Sequence, residues 1–168
     1  MPNLKTESNY LITLKIIDKE NFNHYKKPAM VLGFPTCSFK CNKECGSRVC
    51  HNDTLASTNN ILLNVEDIIN NYLNNHLTSA IVAAGLEPLD SWNELRLLVQ
   101  QFREQTLDDI VIYTGYKEEE ISEQVLWLKQ FKNIVIKFGR FVPNQSPHYD
   151  EILGVNLASD NQYAKKVS

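Results

Sequence analysis

The sequence lacks the features that would indicate a membrane, secreted or nucleic-acid-binding protein. None of its apolar runs approaches the roughly 20 residues that a transmembrane helix needs. Its first nine residues are polar and lack the apolar core of a secretory signal. Seventeen basic residues against twenty acidic ones give a formal charge of −3, so no net positive field attracts a polyanion. We therefore expect a soluble cytoplasmic protein whose main partner is neither a membrane nor a nucleic acid.

Internal repeats, low-complexity tracts and Gly/Ser linkers are also absent from the 168 residues. Nothing in the composition divides the chain, so we predict a single domain over residues 1–168. Hydrophobic residues make up 43 % of the sequence and charged residues 22 %, which is typical of a globular protein and too apolar for a disordered one.

Strands and helices alternate along most of the chain. Alternating apolar and polar residues predict a half-buried strand over residues 10–17, and an apolar run predicts another over residues 29–34. Further apolar patterns predict helices at residues 65–76, 91–104 and 118–131, and strands at residues 79–84, 110–113 and 134–138. Asn64 is placed to cap the first of these helices. Beyond residue 138 the sequence indicates only a possible strand near Val155. This order predicts an α/β fold with a mostly parallel sheet.

Four unusual segments follow the predicted strands. They are the cysteine-rich loop after residue 34, Gly85-Leu86-Glu87-Pro88, Tyr113-Thr114-Gly115-Tyr116 and Gly139-Arg140. In parallel α/β folds, functional sites form where the chain leaves the carboxyl ends of the strands. We therefore expect the four segments to meet at one edge of the sheet.

All four cysteines lie between residues 37 and 50, in a segment that we name the cysteine loop (residues 35–52). In a reducing cytosol, clustered cysteines are more typical of metal ligands or redox groups than of disulfides. Four thiolates could close a zinc site or hold an iron–sulfur cluster. The three-residue gap between Cys37 and Cys41 favours the cluster, because zinc knuckles and bacterial ferredoxins open with a two-residue gap. Unligated cysteines are disfavoured, since this loop is polar.

The order of these segments resembles the radical S-adenosylmethionine (SAM) superfamily. Within it, the chain resembles the small activating proteins of anaerobic ribonucleotide reductase, which have about this length. The resemblance rests on the Cys-x3-Cys opening and, in order, GLEP (85–88), YTGY (113–116), KFGRF (137–141) and ASDNQ (158–162). We predict an α/β fold of the radical-SAM type, a partial (β/α) barrel of four to five mostly parallel strands with the cluster at its carboxyl end.

The resemblance implies a [4Fe–4S] cluster held by three thiolates, with one iron left to the amino and carboxylate groups of SAM. Reduction would cleave SAM to methionine and a 5′-deoxyadenosyl radical, which would take hydrogen from a glycine of a partner glycyl-radical reductase. A flavodoxin or ferredoxin is implied as the electron donor. Two alternatives stay open: an iron–sulfur electron carrier and a zinc-binding module, each using all four cysteines.

The family motif is Cys-x3-Cys-x2-Cys, and this sequence departs from it. The third ligand should fall at Glu44, so Cys45 and Cys50 are the two candidates. Val49 resembles the apolar residue that precedes the third cysteine in the family, and residues 51–52 resemble the aromatic-Asn pair that often follows it. Residues 43–48 are then an insertion and Cys45 is spare. The predicted cluster ligands are Cys37, Cys41 and Cys50.

For the SAM pocket the resemblance implies four further residues. The turn at Gly85 and Glu87 would meet the ammonium group of SAM, although Leu86 stands where the family has a second glycine. Tyr113 would line the pocket, and Arg140 would meet the SAM carboxylate or a partner. Each of these residues taken alone also has a purely structural interpretation, as a turn, a core aromatic or a solvated surface arginine.

Overall fold

The computed structural model describes residues 10–49 and 52–168, although not the side chains of Cys41 and Asp53. Its strands are β1 (Leu11–Leu14), β2 (Ile16–Asn21), β3 (Ala29–Phe34), β4 (Ile61–Asn64), β5 (Ala80–Gly85), β6 (Asp109–Tyr113), β7 (Ile134–Phe138), β8 (His148–Asp150), β9 (Val155–Leu157) and β10 (Tyr163–Lys166). Its helices are α1 (Lys40–Cys45), α2 (Asp53–Ala56), α3 (Val65–Asn74), α4 (Trp92–Gln105) and α5 (Ser122–Leu128), with 3-10 turns at Pro88–Ser91 and Glu118–Ile121. In these described ranges, no helix is long and apolar enough to cross a lipid bilayer.

A six-stranded sheet in the order β10-β7-β6-β5-β3-β2 organises the fold. Its four central strands, β3, β5, β6 and β7, are parallel and adjacent in chain order. Strands β2 and β10 pair antiparallel at the two edges. Because crossovers between parallel strands share one hand, sequential order places the connecting helices on the same face of the sheet.

The two faces of this sheet carry side chains of different size. Large residues such as Phe34 and Ile112 point to one face and pack against the apolar stripes of α3, α4 and α5. Small residues such as Ala80 and Ala84 point to the other face, which Tyr25 and the β8–β9 segment cover. We name the latter the small-residue face. Among the described residues, it receives no buried side chain from α3, α4 or α5.

The predicted order of strands and helices between residues 65 and 138 agrees with the structure. The cap at Asn64 is confirmed, since its side-chain oxygen accepts a hydrogen bond from the backbone N–H of Glu66 at 2.9 Å. Strand β7 has the predicted bounds of residues 134–138. These elements could be predicted because each has a local apolar period.

Several boundaries were predicted wrongly. Residues 10–17 form two strands rather than one, because the chain changes sheets at Lys15, whose N–H donates to the carbonyl of Gly33. The helix predicted over residues 118–131 begins with a 3-10 turn and ends at Leu128, and the helix predicted to end at residue 76 ends at Asn74. Strands β4, β8 and β10 were not predicted, since three or four residues are too few to show a period.

Replacement of Leu98 by alanine tests the packing of α4 on the sheet. Leu98 is 2 % exposed, so loss of its buried methyl groups should lower the free energy of unfolding by about 2–5 kcal/mol. Leu126→Ala is the matched control, because Leu126 on α5 is 68 % exposed and should change that free energy by no more than about 0.5 kcal/mol. Urea unfolding measures both, and equal losses in the two variants would contradict this packing.

Candidate functional site

A cavity of about 310 Å³ lies on the small-residue face, where β3, β5, β6 and β7 end. We name this end of the sheet the carboxyl edge. Each of the four segments predicted from the sequence lines the cavity, through Cys37, Gly85, Glu87, Tyr113 and Arg140. The convergence follows from the parallel arrangement, since the carboxyl ends of parallel strands meet at one edge.

Cys37 enters the cavity three residues after β3. The backbone N–H of Phe39 donates a hydrogen bond to its Sγ atom at 3.2 Å. Phe39 has a φ of 52°, which turns the chain into α1. Helix α1 contains Cys41 and ends at Cys45, where Gly46 with a φ of 65° terminates it. Neither Cys37 nor Cys45 forms a disulfide, and both are half-buried.

Residues 43–48 form a segment of the cysteine loop that we name the insert. The residues on either side of it are hydrogen-bonded to each other. The side-chain oxygen of Asn42 accepts a hydrogen bond from the backbone N–H of Val49 at 2.7 Å. The two residues that flank the insert are therefore neighbours in space. Cys50 and His51 lie outside the described residues, and Asn52 immediately after them lines the cavity.

Glu87 connects the segments that follow three strands, β3, β5 and β6. Its Oε1 accepts from the N–H of Leu89 at 3.0 Å, and its Oε2 accepts from the N–H of Gly115 at 2.8 Å. Its own N–H donates to the carbonyl of Thr36 at 2.8 Å. Burial raises the pKa of Glu87 to about 7, although the hydrogen bonds from Gly115 and Leu89 oppose the shift. A cation that enters the cavity would stabilise the charged form of this carboxyl group.

The turn at Gly85 closes onto the cysteine loop. Gly85 has a φ of 88°, and a Cβ atom there would lie 2.6 Å from the Cα atom of Gly33, so no larger residue fits. Its carbonyl oxygen accepts a hydrogen bond from the side-chain amide of Asn52. The β5 exit is therefore held by β3 on one side and by the end of the cysteine loop on the other.

Arg140 is only 6 % exposed, which excludes the interpretation of a solvated surface arginine. Its Nη2 donates to Oε1 of Glu120 at 2.9 Å, and its Nε lies 3.6 Å from Oε1 of Glu44. Its Nη1 is buried and has no hydrogen-bond partner among the described residues. An unpaired donor on a buried cation is costly, so this atom suits an anionic group of a ligand.

Two C-terminal residues hold the Arg140 segment in place. Asn161 donates from Nδ2 to the carbonyl of Arg140 at 2.7 Å, and Gln162 donates from Nε2 to the carbonyl of Gly139 at 3.3 Å. Gly139 has a φ of 101°, and a Cβ atom there would lie 2.9 Å from the carbonyl oxygen of Asn161. The segment ASDNQ therefore positions the β7 exit at the cavity.

Lys137 and His24 are titratable residues of the cavity that sequence reasoning missed. Lys137 on β7 is 8 % exposed and donates from Nζ to the carbonyl of Gly139 at 2.8 Å. His24 packs edge-on against Tyr113, whose hydroxyl donates to the His24 carbonyl. Burial lowers the pKa of His24. Lys137 could have been noticed as a charge inside an apolar strand. His24 gave no signal, because its position depends on how the β2–β3 connection folds.

The residues present fit an iron–sulfur cluster at the mouth of this cavity. The loop supplies up to four thiols, which are the ligands that such clusters use. Cys37 already receives an N–H hydrogen bond of the kind that tunes cluster sulfurs. Among the described side chains, which include those of Cys37 and Cys45 but not those of Cys41 and Cys50, no three metal-binding groups gather into a site.

Comparison with known families identifies the class of protein as an iron–sulfur protein. The model of the 4Fe-4S single cluster domain family matches residues 29–162, from β3 to Gln162. Because this match covers most of the chain, the protein belongs to that family, and the prediction of a [4Fe–4S] cluster is confirmed. Comparisons with curated proteins and with solved structures found no significant match.

Burial of Glu87 predicts a stability that falls as the pH rises. The unfolded chain releases this proton near pH 4.5, whereas the folded protein keeps it up to about pH 7. The folded state therefore binds the extra proton between these values, and the gain is lost as the pH rises through the folded pKa. The contribution should decline by about 3 kcal/mol over this range. Urea unfolding from pH 5 to pH 8 measures it.

Glu87→Gln removes the titrating group and should flatten this part of the pH dependence. Glu123→Gln is the matched control, because Glu123 lies exposed on α5 and its replacement should leave the dependence unchanged. A Glu87→Gln variant with the slope of the unmodified protein would show that another group titrates.

Proposed function

We propose that this protein is a radical SAM activase. It reductively cleaves SAM to a 5′-deoxyadenosyl radical and generates a glycyl radical on a partner anaerobic ribonucleotide reductase. The hydrogen bond between Asn42 and Val49 is the observation that carries the proposal. When the insert that this bond closes is set aside, Cys41-Asn42 continues directly into Val49-Cys50. The loop then has the spacing Cys-x3-Cys-x2-Cys, which leaves one iron of a [4Fe–4S] cluster without a protein ligand.

The position of Asn52 supports Cys50 over Cys45 as the third ligand. Asn52 follows Cys50 by two residues, lines the same cavity as Cys37 and donates to the carbonyl of Gly85. Cys45 belongs to the insert instead. When bound, a cluster with three thiolate ligands supplies the electron that breaks a carbon–sulfur bond of SAM. The three ligands in this proposal are Cys37, Cys41 and Cys50.

Two buried charges of the cavity suit the amino-acid part of SAM. Glu87 offers its carboxylate to the ammonium group, and Nη1 of Arg140 donates to the SAM carboxylate. Both side chains are more than nine-tenths buried, so both ion pairs form where water screens them weakly. The N–H groups of Leu89 and Gly115 orient the Glu87 carboxylate. Pairing with the ammonium group would lower the pKa of Glu87 from about 7, because it favours the charged form.

The sheet supports a partial (β/α) barrel of the radical-SAM type. Four parallel strands follow chain order, and their connecting helices pack on one face. The small side chains on the other face allow the sheet to curve around the cavity. In this architecture the cavity opens at the carboxyl edge, where a loop of a protein substrate would enter. Tyr113 lines the wall of the cavity.

An iron–sulfur electron carrier that uses all four cysteines is the second candidate. Cys45 favours it, because this thiol is half-buried in the same loop and forms no disulfide. A carrier would bind the cluster but would not cleave SAM. Cleavage of SAM therefore distinguishes the two functions.

Anaerobic turnover of SAM tests the proposal. The reconstituted protein with dithionite should convert SAM into 5′-deoxyadenosine and methionine in equal amounts. Cys50→Ala should lower bound iron and product by about tenfold or more, since it removes a ligand. Cys45→Ala is the matched control and should keep both. Chemical iron analysis and chromatography of the nucleoside measure the two quantities.

A deletion of residues 43–48 provides a second check, because it removes Cys45 and restores the motif spacing. The deleted protein should still bind four iron atoms and cleave SAM. Cluster loss in Cys45→Ala with retention in Cys50→Ala would contradict the ligand assignment. A reducible cluster without nucleoside product would favour the electron carrier.

Replacement of Arg140 by glutamine removes the cation that we assign to the SAM carboxylate. The KM for SAM should rise by about tenfold, because a charge-assisted hydrogen bond contributes about 1.5 kcal/mol or more. Iron content should stay unchanged. Arg96→Gln is the matched control, since Arg96 lies on α4 over the Trp127 ring, away from the cavity. An unchanged KM in Arg140→Gln would place the SAM carboxylate elsewhere.

A further inference from the structure

The three residues between Cys37 and Cys41, which we name the ligand turn (residues 38–40), contact a side chain from outside the cysteine loop. The backbone N–H of Ser38 donates a hydrogen bond to Oδ2 of Asp90 at 2.9 Å. Ser38 directly follows Cys37, and Asp90 belongs to the 3-10 turn after β5, the strand that pairs with β3. The start of the ligand turn is therefore tied to the segment that follows the neighbouring strand.

Tyr116 contacts both Asp90 and the far end of the ligand turn. Its hydroxyl donates a hydrogen bond to Oδ1 of Asp90, the second oxygen of the same carboxylate. The ammonium group of Lys40 lies 4.4 Å from the centroid of the Tyr116 ring, within the range of a cation–π interaction. Asp90 and Tyr116 therefore form one unit, which contacts the first and the last residue of the ligand turn.

The middle residue of the ligand turn has a backbone conformation that needs such support. Phe39 has a φ of 52°, in the left-handed region that residues other than glycine rarely adopt. Such a conformation persists where the surrounding structure holds it. Its backbone N–H also donates to Sγ of Cys37 at 3.2 Å. The contacts of Asp90 and Tyr116 on either side of Phe39 thus support a bond to a predicted cluster ligand.

The core of the protein does not require the Asp90 bonds. Asp90 is exposed, so water would solvate its carboxylate if both partners were absent. Its two oxygens are nevertheless both engaged, one by the cysteine loop and the other by a residue that follows β6. An exposed carboxylate that joins two such segments at the carboxyl edge is better suited to positioning the loop than to packing the core.

We propose that Asp90 and Tyr116 are positioning residues of the iron–sulfur site. They hold the ligand turn, and through its backbone they keep Cys37 and Cys41 at the separation that one cluster requires. Both cysteines are ligands in each of the two candidate functions. The positioning role therefore applies to an electron carrier as well as to an activase.

Release of iron from the folded protein tests this role. Anaerobic incubation with bathophenanthroline disulfonate, which becomes coloured when it binds ferrous iron, measures the rate without SAM. Asp90→Ala removes both hydrogen bonds and should speed release by about three- to tenfold, because the ligand turn then opens more often. Tyr116→Phe keeps the ring beneath Lys40 but removes the hydroxyl, so release should rise by only about two- to threefold.

Asp90→Asn is the conservative variant that should restore the slow release. Its side-chain oxygen can accept from Ser38, and its amide group can donate to the hydroxyl oxygen of Tyr116. The rate should stay within about twofold of that of the unmodified protein. The double variant Asp90→Ala/Tyr116→Phe should release iron at the rate of Asp90→Ala, since the hydroxyl has already lost its partner.

Tyr72→Phe is the matched control. The Tyr72 hydroxyl donates to Oδ2 of Asp108 at 2.6 Å, so the two residues form the same kind of pair. Asp108 precedes β6, at the end of the sheet opposite the carboxyl edge. Loss of this bond should lower the free energy of unfolding in urea and leave the rate of iron release unchanged.

The reduction potential of the cluster is a second measurement, which a purely structural role would not change. The N–H of Phe39 should stabilise the additional negative charge of the reduced cluster through Sγ of Cys37. A loosened ligand turn should therefore make the potential more negative in Asp90→Ala and leave it unchanged in Tyr72→Phe.

Three results would overturn the positioning role. They are a release rate or a potential in Asp90→Ala equal to that of the unmodified protein, an equal acceleration in Tyr72→Phe, and an acceleration in Asp90→Asn as large as in Asp90→Ala. Because these assays contain no SAM, their outcome is independent of SAM cleavage. A protein that shows the expected effects but forms no 5′-deoxyadenosine would retain the positioning role and disprove the activase function.

Discussion

The shared direction of β3, β5, β6 and β7 is the constraint on which the site depends. Because these strands are parallel, the chain leaves all four at the same edge of the sheet. The segment that follows each strand contributes a different chemical group to one cavity. The exits are also bonded to one another. Glu87 joins the β5 and β6 exits, and the Gly85 turn packs on the backbone of β3. The cavity therefore keeps its shape through backbone contacts that do not depend on any ligand.

Burial leaves the two principal charges of the cavity incompletely satisfied. Glu87 receives two N–H hydrogen bonds, yet its pKa still lies near 7 because burial dominates. Arg140 is paired with Glu120 and Glu44, yet its Nη1 donor has no partner within the described ranges. A zwitterionic ligand would relieve both conditions at once, since it brings an ammonium and a carboxylate group together. A carboxyl group and a guanidinium that both lack full pairing in one cavity are a stronger indication of a ligand than either group alone.

The sequence could predict what depends on local pattern, and it could not predict what depends on distant contacts. The ends of the strands follow from apolar periods, so the sequence predicts that the segments at Gly85 and Tyr113 meet at one edge of the sheet. The burial of Arg140 depends on Asn161 and Gln162, which approach from the C-terminus. The strand break at Lys15 likewise depends on a second sheet.

The bond at the base of the insert separates a solvent-exposed segment from the rest of the cysteine loop. Cluster ligands need fixed positions, whereas an exposed segment can change in length without moving them. Closure of the chain between Asn42 and Val49 holds the flanking positions together, so residues added beyond that bond leave them unchanged. Surface loops tolerate such additions at small entropic cost. Glu44 of the insert also lies 3.6 Å from Nε of Arg140, so the insert contacts the carboxyl edge. An insert of this kind is therefore compatible with an intact iron–sulfur site.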